Sequence, residues 1–267
     1  MFEYVVAWIV ALGCGIVSAV MGVGGGFFFV PTLTILFHLD LKTAMGTSLA
    51  VMIFTSLSAS FWFSRQKKIL YRVALVMIPP SVLFSILGSY VAHLTDTRIL
   101  ILIFSCAMIM ISLEMLVPAF RFLVGITRGP SFVLSIAVPV QGTQPITRIP
   151  YLHLIVWGAA GGFIGGITGT SGGVIFVPAL ATLGIPFTYA VATSMFTVIG
   201  IAVAGTATHA ALDSLSLPFV AVYGTGAAVG ACLGTVVATR VRDGHIRQIF
   251  GCLLLMMAVV LLASLFI

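Results

Sequence analysis

The sequence predicts an all-α integral membrane protein built from two related halves. Hydrophobic residues make up 61% of its 267 residues, charged residues make up only 7%, and the mean hydropathy is +1.26. A soluble domain carries roughly 25% charged residues, and apolar runs of about 20 residues are long enough to cross a membrane as helices. A transmembrane barrel would instead show short segments of alternating polarity, a pattern that this sequence does not contain.

Ten apolar segments follow one another along the chain, five in each half. The second and the seventh are short, and each begins at a glycine-rich motif. We expect a first transmembrane repeat at 1–118, a connector at 119–150 that is cytoplasmic or lies on the membrane surface, and a second repeat at 151–267. The segments are 4–21, 25–37, 44–63, 70–93, 98–118, 152–167, 172–184, 188–211, 216–239 and 246–266.

The glycine-rich motif occurs once in each half. Its first copy, Gly22–Pro31, reads GVGGGFFFVP, and its second copy, Gly169–Pro178, reads GTSGGVIFVP. A Thr-Ser pair follows each copy, at Thr47-Ser48 and at Thr193-Ser194. Further identical residues match at a constant offset of 146 positions, which indicates internal duplication. A duplicated break in apolar helices is typical of the binding site of a secondary transporter, where short broken or re-entrant helices meet.

The basic residues are sorted by loop, and this sorting predicts that the two repeats are inverted. If each of the five segments in a half reverses direction, only Lys42 and Arg98 lie on one side. Cytoplasmic loops carry an excess of Lys and Arg, so the other side is cytoplasmic and both termini are extracytoplasmic. An odd number of segments per half makes the repeats inverted, whether the short segments cross the membrane or turn back within it. The cytoplasmic set is Arg65, Lys67, Lys68, Arg72, Arg121, Arg128, Arg148, Arg240, Arg242 and Arg247.

The two motifs and the Thr-Ser pairs are candidate anion ligands. The first N–H groups of a helix are unpaired and carry partial positive charge, and glycine lets a substrate approach the backbone closely. We expect four helix starts, two from each half, to converge near the midplane, with Ser and Thr hydroxyls as additional donors. The alternative is that the glycines only permit tight helix packing. The candidate substrate-binding residues are Gly24, Gly25, Gly26, Thr47, Ser48, Thr170, Ser171, Gly172, Gly173, Thr193 and Ser194.

Two other residues are candidates for ion coupling. Glu114 is the only carboxylate well inside an apolar segment, and intramembrane acids often relay protons. However, Glu114 lies near the predicted cytoplasmic end of its segment, and its match in the second half is Val260. His209 can titrate near neutral pH, although a capping or interfacial position at a segment end is the competing explanation.

The sequence contains no pattern typical of an enzyme. It has no HExxH motif, no Walker A motif and no CxxC pair, and no Asp lies within an apolar segment. We therefore predict no enzymatic activity, no metal and no cofactor. The expected partners are a small anion and the lipid bilayer, without nucleic acid. Two alternatives to the leading interpretation stay open, a permease for a different small anion and a non-transporting membrane anchor subunit.

The duplicated motifs resemble those of the TauE/SafE sulfite exporter family. The residues that carry the resemblance are Gly22–Gly26, Pro31 and Ala44–Ser48, repeated at Gly169–Pro178 and Ala190–Ser194. The resemblance implies a multi-pass transporter of the cell membrane. It also implies export of small sulfur-containing oxyanions such as sulfite or organosulfonates.

The second motif copy departs from the family pattern. Thr170-Ser171 stands where the first copy has Val23-Gly24, and Ala192 stands where the first half has Gly46. We therefore expect an asymmetric site, to which the two halves contribute unequally.

Overall fold

The computed structural model describes residues 2–116, 135–138, 146–238, 252 and 255–263. The first half contains α1 (Phe2–Met21), α2 (Gly26–Ile35), α3 (Leu41–Arg65), α4 (Tyr71–Leu94) and α5 (Thr97–Leu116). The second contains α6 (Tyr151–Thr168), α7 (Gly173–Thr182), α8 (Phe187–Ala211) and α9 (Leu217–Ala238), and residues 255–263 are helical. The predicted all-α membrane fold is confirmed, and the bounds of α1 to α9 differ from the predicted segments by at most three residues.

The connector contains two short strands that the sequence did not predict. Ser135–Val138 (β1) pairs antiparallel with Ile146–Pro150 (β2), and Ser135 lies opposite Pro150. The predicted basic residues Arg121 and Arg128 of the connector lie outside the described residues.

Six of the helices are long and apolar enough to cross a membrane, namely α1, α3, α4, α6, α8 and α9. Within the most apolar 18-residue stretch of each helix, 72% of the stretch is buried in α3 and 61% in α8, against 39% to 44% in the other four helices. The helices α3 and α8 therefore form the centre of the molecule. The surrounding helices expose large apolar side chains such as Leu75 and Leu83, as lipid-facing surfaces do.

The helices α2 and α7, which follow the two glycine-rich motifs, are too short to cross. Each has ten residues, and each has a proline at its sixth position, Pro31 or Pro178. At 1.5 Å of rise per residue each helix is about 15 Å long, half of a hydrocarbon core about 30 Å thick. Each of these helices therefore has one end inside the protein.

The two halves are interleaved in space. The five largest helix interfaces join α4 with α6, α1 with α9, α3 with α9, α3 with α8 and α4 with α8, and all of these join one half to the other. The interfaces also match one another when the halves are exchanged, because α1–α9 corresponds to α6–α4 and α3–α9 corresponds to α8–α4. A twofold relation between the halves would produce this pattern.

Glycines bring the helices of two of these interfaces into close contact. A methyl group added at Gly158 of α6 would lie 2.8 Å from the backbone oxygen of Met77 in α4. Gly162 and Gly166, at four-residue spacing, meet the α4 backbone in the same way. Small residues at this spacing let membrane helices approach until their backbones touch. A second set at the same spacing lies on α9, where it meets the α1 backbone, and consists of Gly226, Gly230 and Gly234.

Two hydrogen bonds show that α3 and α8 run in opposite directions. The Leu70 N–H, just before α4, donates to Thr193 Oγ1 in the second turn of α8, at 3.1 Å. The Ser216 N–H, just before α9, donates to Thr47 Oγ1 in the second turn of α3, at 3.0 Å. The chain leaving each central helix thus lies beside the beginning of the other.

Candidate functional site

The two glycine-rich motifs contact each other directly. Gly24 packs against Ser171 so closely that a methyl group at Gly24 would lie 2.7 Å from Ser171 Oγ. Gly26 packs against the backbone of Thr170, where the corresponding separation from Cα is 2.5 Å. The structure therefore brings together residues that lie about 147 positions apart in the chain.

Side chains of the central helices hold the two motifs in place. Ser194 Oγ of α8 donates to the Gly22 oxygen at 2.8 Å. Thr55 Oγ1 of α3 donates to the Gly24 oxygen at 3.1 Å. Gly173 packs against the same Gly22 oxygen and has Ser194 Oγ near it. The predicted residues Ser194 and Gly173 thus lie at the junction of the motifs, with the hydroxyl of Ser194 already bonded to the backbone.

The backbone conformation explains part of the difference between the two copies. Gly22, Gly24 and Gly25 have φ values of 72°, 76° and 96°, in the left-handed region that side chains disfavour. In the second copy only Gly169 is left-handed, with φ 65°. The position of Ser171 therefore tolerates a side chain, whereas the matching position of Gly24 does not.

Four consecutive backbone N–H groups in each motif make no hydrogen bond to any residue that the structure describes. All of them belong to buried residues. Their C-terminal neighbours are paired, since Phe28 N–H donates to the Gly25 oxygen and Ile175 N–H to the Gly172 oxygen, both at 2.9 Å. Roughly 90% or more of buried backbone N–H groups in proteins are paired, so eight free donors at one place form a candidate anion site. They are the N–H groups of Gly24, Gly25, Gly26, Phe27, Ser171, Gly172, Gly173 and Val174.

Three buried serine hydroxyls near these donors also lack a partner among the described residues. They belong to Ser18, Ser48 and Ser171, each at most 2% exposed. Ser18 Oγ would lie 3.1 Å from a methyl group at Gly25. Ser48 lies on α3 between Met45, which contacts Gly169 of the second motif, and Met52, which contacts Gly26 of the first. An unpaired hydroxyl can donate to a bound anion, so these three groups extend the candidate site.

Ser18 is a candidate site residue that our sequence reasoning missed. Its backbone oxygen accepts from the Gly22 N–H at 2.9 Å, which places it one turn before the motif. The available signal was a small polar residue in an otherwise apolar helix, directly ahead of the glycines. The predicted Thr170 differs from these serines, because its hydroxyl is paired with Thr168 Oγ1 at 2.7 Å.

The expectation that four helix starts converge at the site is wrong. The first residue of α3 is Leu41, with Asp40 as its cap, and the first residue of α8 is Phe187. Thr47 and Thr193 each lie a full turn inside these continuous helices. Only α2 and α7 begin at the motifs. The two threonine hydroxyl oxygens accept from backbone N–H groups of the opposite half instead.

Comparison with known proteins assigns the family. A match to the family described as Sulfite exporter TauE/SafE spans residues 7–261. The chain belongs to this family. The resemblance carried by the two motifs is thereby confirmed, and the TauE/SafE match includes both motifs and both central helices.

Relatives of this TauE/SafE protein are named as transporters. The probable membrane transporter protein YunE of Bacillus subtilis is 28% identical over 95% of both chains. The probable membrane transporter protein YdhB of the same organism is 28% identical over 72% of both chains. A probable membrane transporter protein of Methanocaldococcus jannaschii is 23% identical over 95% of this chain and 93% of its own. The chain is therefore a multi-pass membrane transporter and not an enzyme.

A buried histidine distinguishes the two halves of this TauE/SafE transporter. His209, near the end of α8, is 1% exposed, and neither ring nitrogen has a hydrogen-bond partner among the described residues. A methyl group at Gly46 would lie 2.8 Å from His209 Cβ, so the glycine makes room for the histidine. Phe63 of the first half matches His209, and Ala192 of the second half matches Gly46. The departure of Ala192 from the motif thus accompanies the replacement of a histidine by an apolar ring.

Two further polar residues, His93 and Lys42, lie at the same end of the molecule as His209. His93, at the end of α4, is close enough to interact with it electrostatically. The backbone oxygen of His93 accepts from Lys42 Nζ at 2.7 Å. The other predicted coupling residue, Glu114, belongs to α5, but its side chain lies outside the described part of the structure.

Proposed function

We propose that this TauE/SafE protein is a secondary transporter that exports a small sulfur-containing oxyanion, such as sulfite or an organosulfonate. The observation that carries the proposal is the set of eight buried N–H groups, without partners among the described residues, where the two motifs meet. An oxyanion supplies several acceptor oxygens at once, which is what such a set of donors lacks.

The anion is bound beside the junction of the two motifs by neutral donors from both halves. N–H groups of Gly24 to Gly26 act from one side, and those of Ser171 to Gly173 act from the other. The hydroxyls of Ser18, Ser48 and Ser171 complete its coordination. A hydrogen bond to a charged group contributes about 1.5–3 kcal/mol, so a few of them are enough for a specific site. Thr47, Thr193 and Ser194 support the site by holding backbone groups around it.

Transport proceeds by alternating access around this central site. The motif residues are buried, so an anion reaches them only when the surrounding helices move apart. We propose two inverted repeats, 1–118 and 151–267, with both termini extracytoplasmic and the connector 119–150 cytoplasmic or on the membrane surface. The antiparallel packing of α3 and α8 supports the inversion. An inside-negative membrane potential drives an anion outward, which favours export.

His209 is the proposed coupling residue of this transporter. Two unpaired ring nitrogens in a buried environment are costly, and intramembrane ionisable groups are commonly functional. Glu114 remains a second candidate for the same role.

The experiment that tests the proposed function measures anion-dependent stabilisation of the purified chain. Sulfite, thiosulfate, sulfoacetate, taurine and sulfate are compared by melting temperature, because a ligand that binds the folded state raises it. An anion that stabilises the native protein is then followed across liposome membranes. Export of a sulfur oxyanion predicts stabilisation and flux by at least one of them, both weakened by Ser171→Ala. A permease for a different anion would respond only to other anions, and an anchor subunit would respond to none.

A further inference from the structure

We infer that the central site selects singly charged oxyanions and discriminates against doubly charged ones. This inference rests on the proposed function and concerns the charge of the substrate that the site accepts.

The fixed positive charge at the site comes from two helix N-termini. The helices α2 and α7 both begin there, and neither N-terminus is capped by a side chain. Each helix start carries about half of a unit positive charge, so the two together supply about one unit. This matches the charge of a monoanion.

The described side chains that contact the motifs carry no charge. They include Met45, Met52, Phe29, Val191 and Val198. The helices α2 and α7 have no titratable side chain. Helix α5 also packs there, since the ring centroids of Phe27 in α2 and Phe104 in α5 are 5.7 Å apart. On the helices packed around α2 and α7, the charged residues Glu3, Lys42, Arg65 and Arg98 lie at helix ends, and the side chain of Glu114 in α5 lies outside the described part of the structure. The remaining titratable groups described on these helices are Tyr4, Cys14, Cys106, Tyr151, His153, Tyr189, His209, Tyr223 and Cys232.

The energetic balance is less favourable for two charges than for one. The cost of moving an ion from water into a low-dielectric interior grows with the square of its charge, so a dianion costs about four times as much as a monoanion of equal size. Its attraction to the fixed helix charges grows only about twofold. Neutral N–H and O–H donors therefore offset the desolvation of a singly charged oxyanion far more completely.

The test uses three anions: two reference probes that share a tetrahedral sulfur centre but differ in charge, and sulfite. Methanesulfonate is singly charged and sulfate doubly charged on both sides of neutral pH, whereas sulfite changes from one charge to two near neutrality. Binding to the purified full chain is measured calorimetrically at constant ionic strength, one pH unit below and one unit above neutrality. Methanesulfonate reports any effect of pH on the protein itself, including protonation of His209.

We expect sulfate to bind at least about tenfold more weakly than methanesulfonate at both pH values. The monoanion fraction of sulfite falls about tenfold over this interval, so its apparent Kd rises by about the same factor. Sulfate binding as tightly as methanesulfonate, or sulfite affinity that does not fall with rising pH, overturns the inference. If such dianion binding is weakened by Ser171→Ala, the proposed site survives and only its charge selectivity is rejected. Absence of binding by all three anions rejects both.

Discussion

The hydroxyl oxygen of Thr47 accepts a hydrogen bond from the backbone N–H of Ser216, 169 positions later in the chain. Thr193 accepts from the Leu70 N–H in the same way. Thr193 matches Thr47, and Ser216 matches Leu70, at the same offset of 146 positions. Each half therefore secures the start of a helix in the other half through the same bond, and the duplicated threonines are explained by this exchange.

We predict that Thr47→Val and Thr193→Val each lower the free energy of unfolding by about 1–3 kcal/mol. Valine keeps the shape of threonine but leaves a backbone N–H without its acceptor. The measurement is equilibrium unfolding of the purified variants in detergent. Thr→Ser at each position keeps the hydroxyl and is the matched control. Equal stability of the valine and serine variants would show that these bonds are not important.

Two serines at the site separate binding from folding. Ser171→Ala removes a hydroxyl that has no partner among the described residues, so we expect no loss of stability. It removes a donor to the anion, so we expect binding to weaken by about tenfold to a hundredfold. Ser194→Ala removes the 2.8 Å bond to the Gly22 oxygen and is expected to lower stability by about 1 kcal/mol. Unchanged anion binding by Ser171→Ala would count against the site.

A glycine-to-alanine variant at Gly25, compared with the same substitution at Gly184 and Gly13 outside the motif, tests how tightly the first motif is constrained. Gly25→Ala combines φ 96° with a Phe29 ring atom 2.5 Å from the new methyl group, and we expect a loss of about 2–5 kcal/mol. Gly184 has φ 82° but open space around it, so alanine costs only about 1–2 kcal/mol there. A methyl group at Gly13, within α1, would have nothing within 4 Å, so we expect Gly13→Ala to raise the free energy of unfolding by about 0.5–1 kcal/mol.

Melting temperature and the yield of monodisperse protein rank these three variants. Because Gly25 is constrained by packing and conformation together, a larger substitution there would unfold the protein without testing anion binding. A melting temperature of Gly25→Ala equal to that of Gly13→Ala would contradict the described packing.

The interleaved packing predicts that neither half folds alone. Since the largest interfaces join helices of opposite halves, fragment 1–118 would expose surfaces that α6, α8 and α9 cover in the full chain. We expect fragments 1–118 and 119–267 to aggregate when expressed separately and to copurify as a folded pair when coexpressed. The readout is size-exclusion chromatography. A monodisperse, folded 1–118 fragment would show that the first half has a core of its own.

His209→Phe tests the proposed coupling residue, with Phe63 of the other half as a natural precedent for the phenyl ring. We expect folding to persist, since two unpaired ring nitrogens are removed from a buried position. We expect an imposed pH gradient to stimulate methanesulfonate flux through the native protein in liposomes but not through the variant. The probe does not titrate near neutrality, so the stimulation must come from the protein. Stimulation retained by His209→Phe would transfer the role to Glu114, tested by Glu114→Gln.

Much of the architecture was predictable because local sequence controls it. Long apolar runs form helices in a membrane, where every backbone polar group needs a partner, and this requirement placed α1 to α9 within three residues. The breaks at Gly22 and Gly169 were predictable because glycines interrupt otherwise continuous apolar runs. The β1–β2 pair was not predicted, since the Phe132–Val140 stretch resembles any other apolar segment of its length.

The sequence by itself determined the membrane class, the duplication and the position of both motifs, because each depends on composition or on residues close together in the chain. Only the tertiary structure decided which polar groups are free. Thr47 and Ser48 are neighbours with similar chemistry, yet the hydroxyl oxygen of Thr47 accepts from Ser216, while the hydroxyl of Ser48 has no partner among the described residues. That difference depends on which distant backbone N–H reaches each side chain, and the packing of α3 against α8 and α9 sets it.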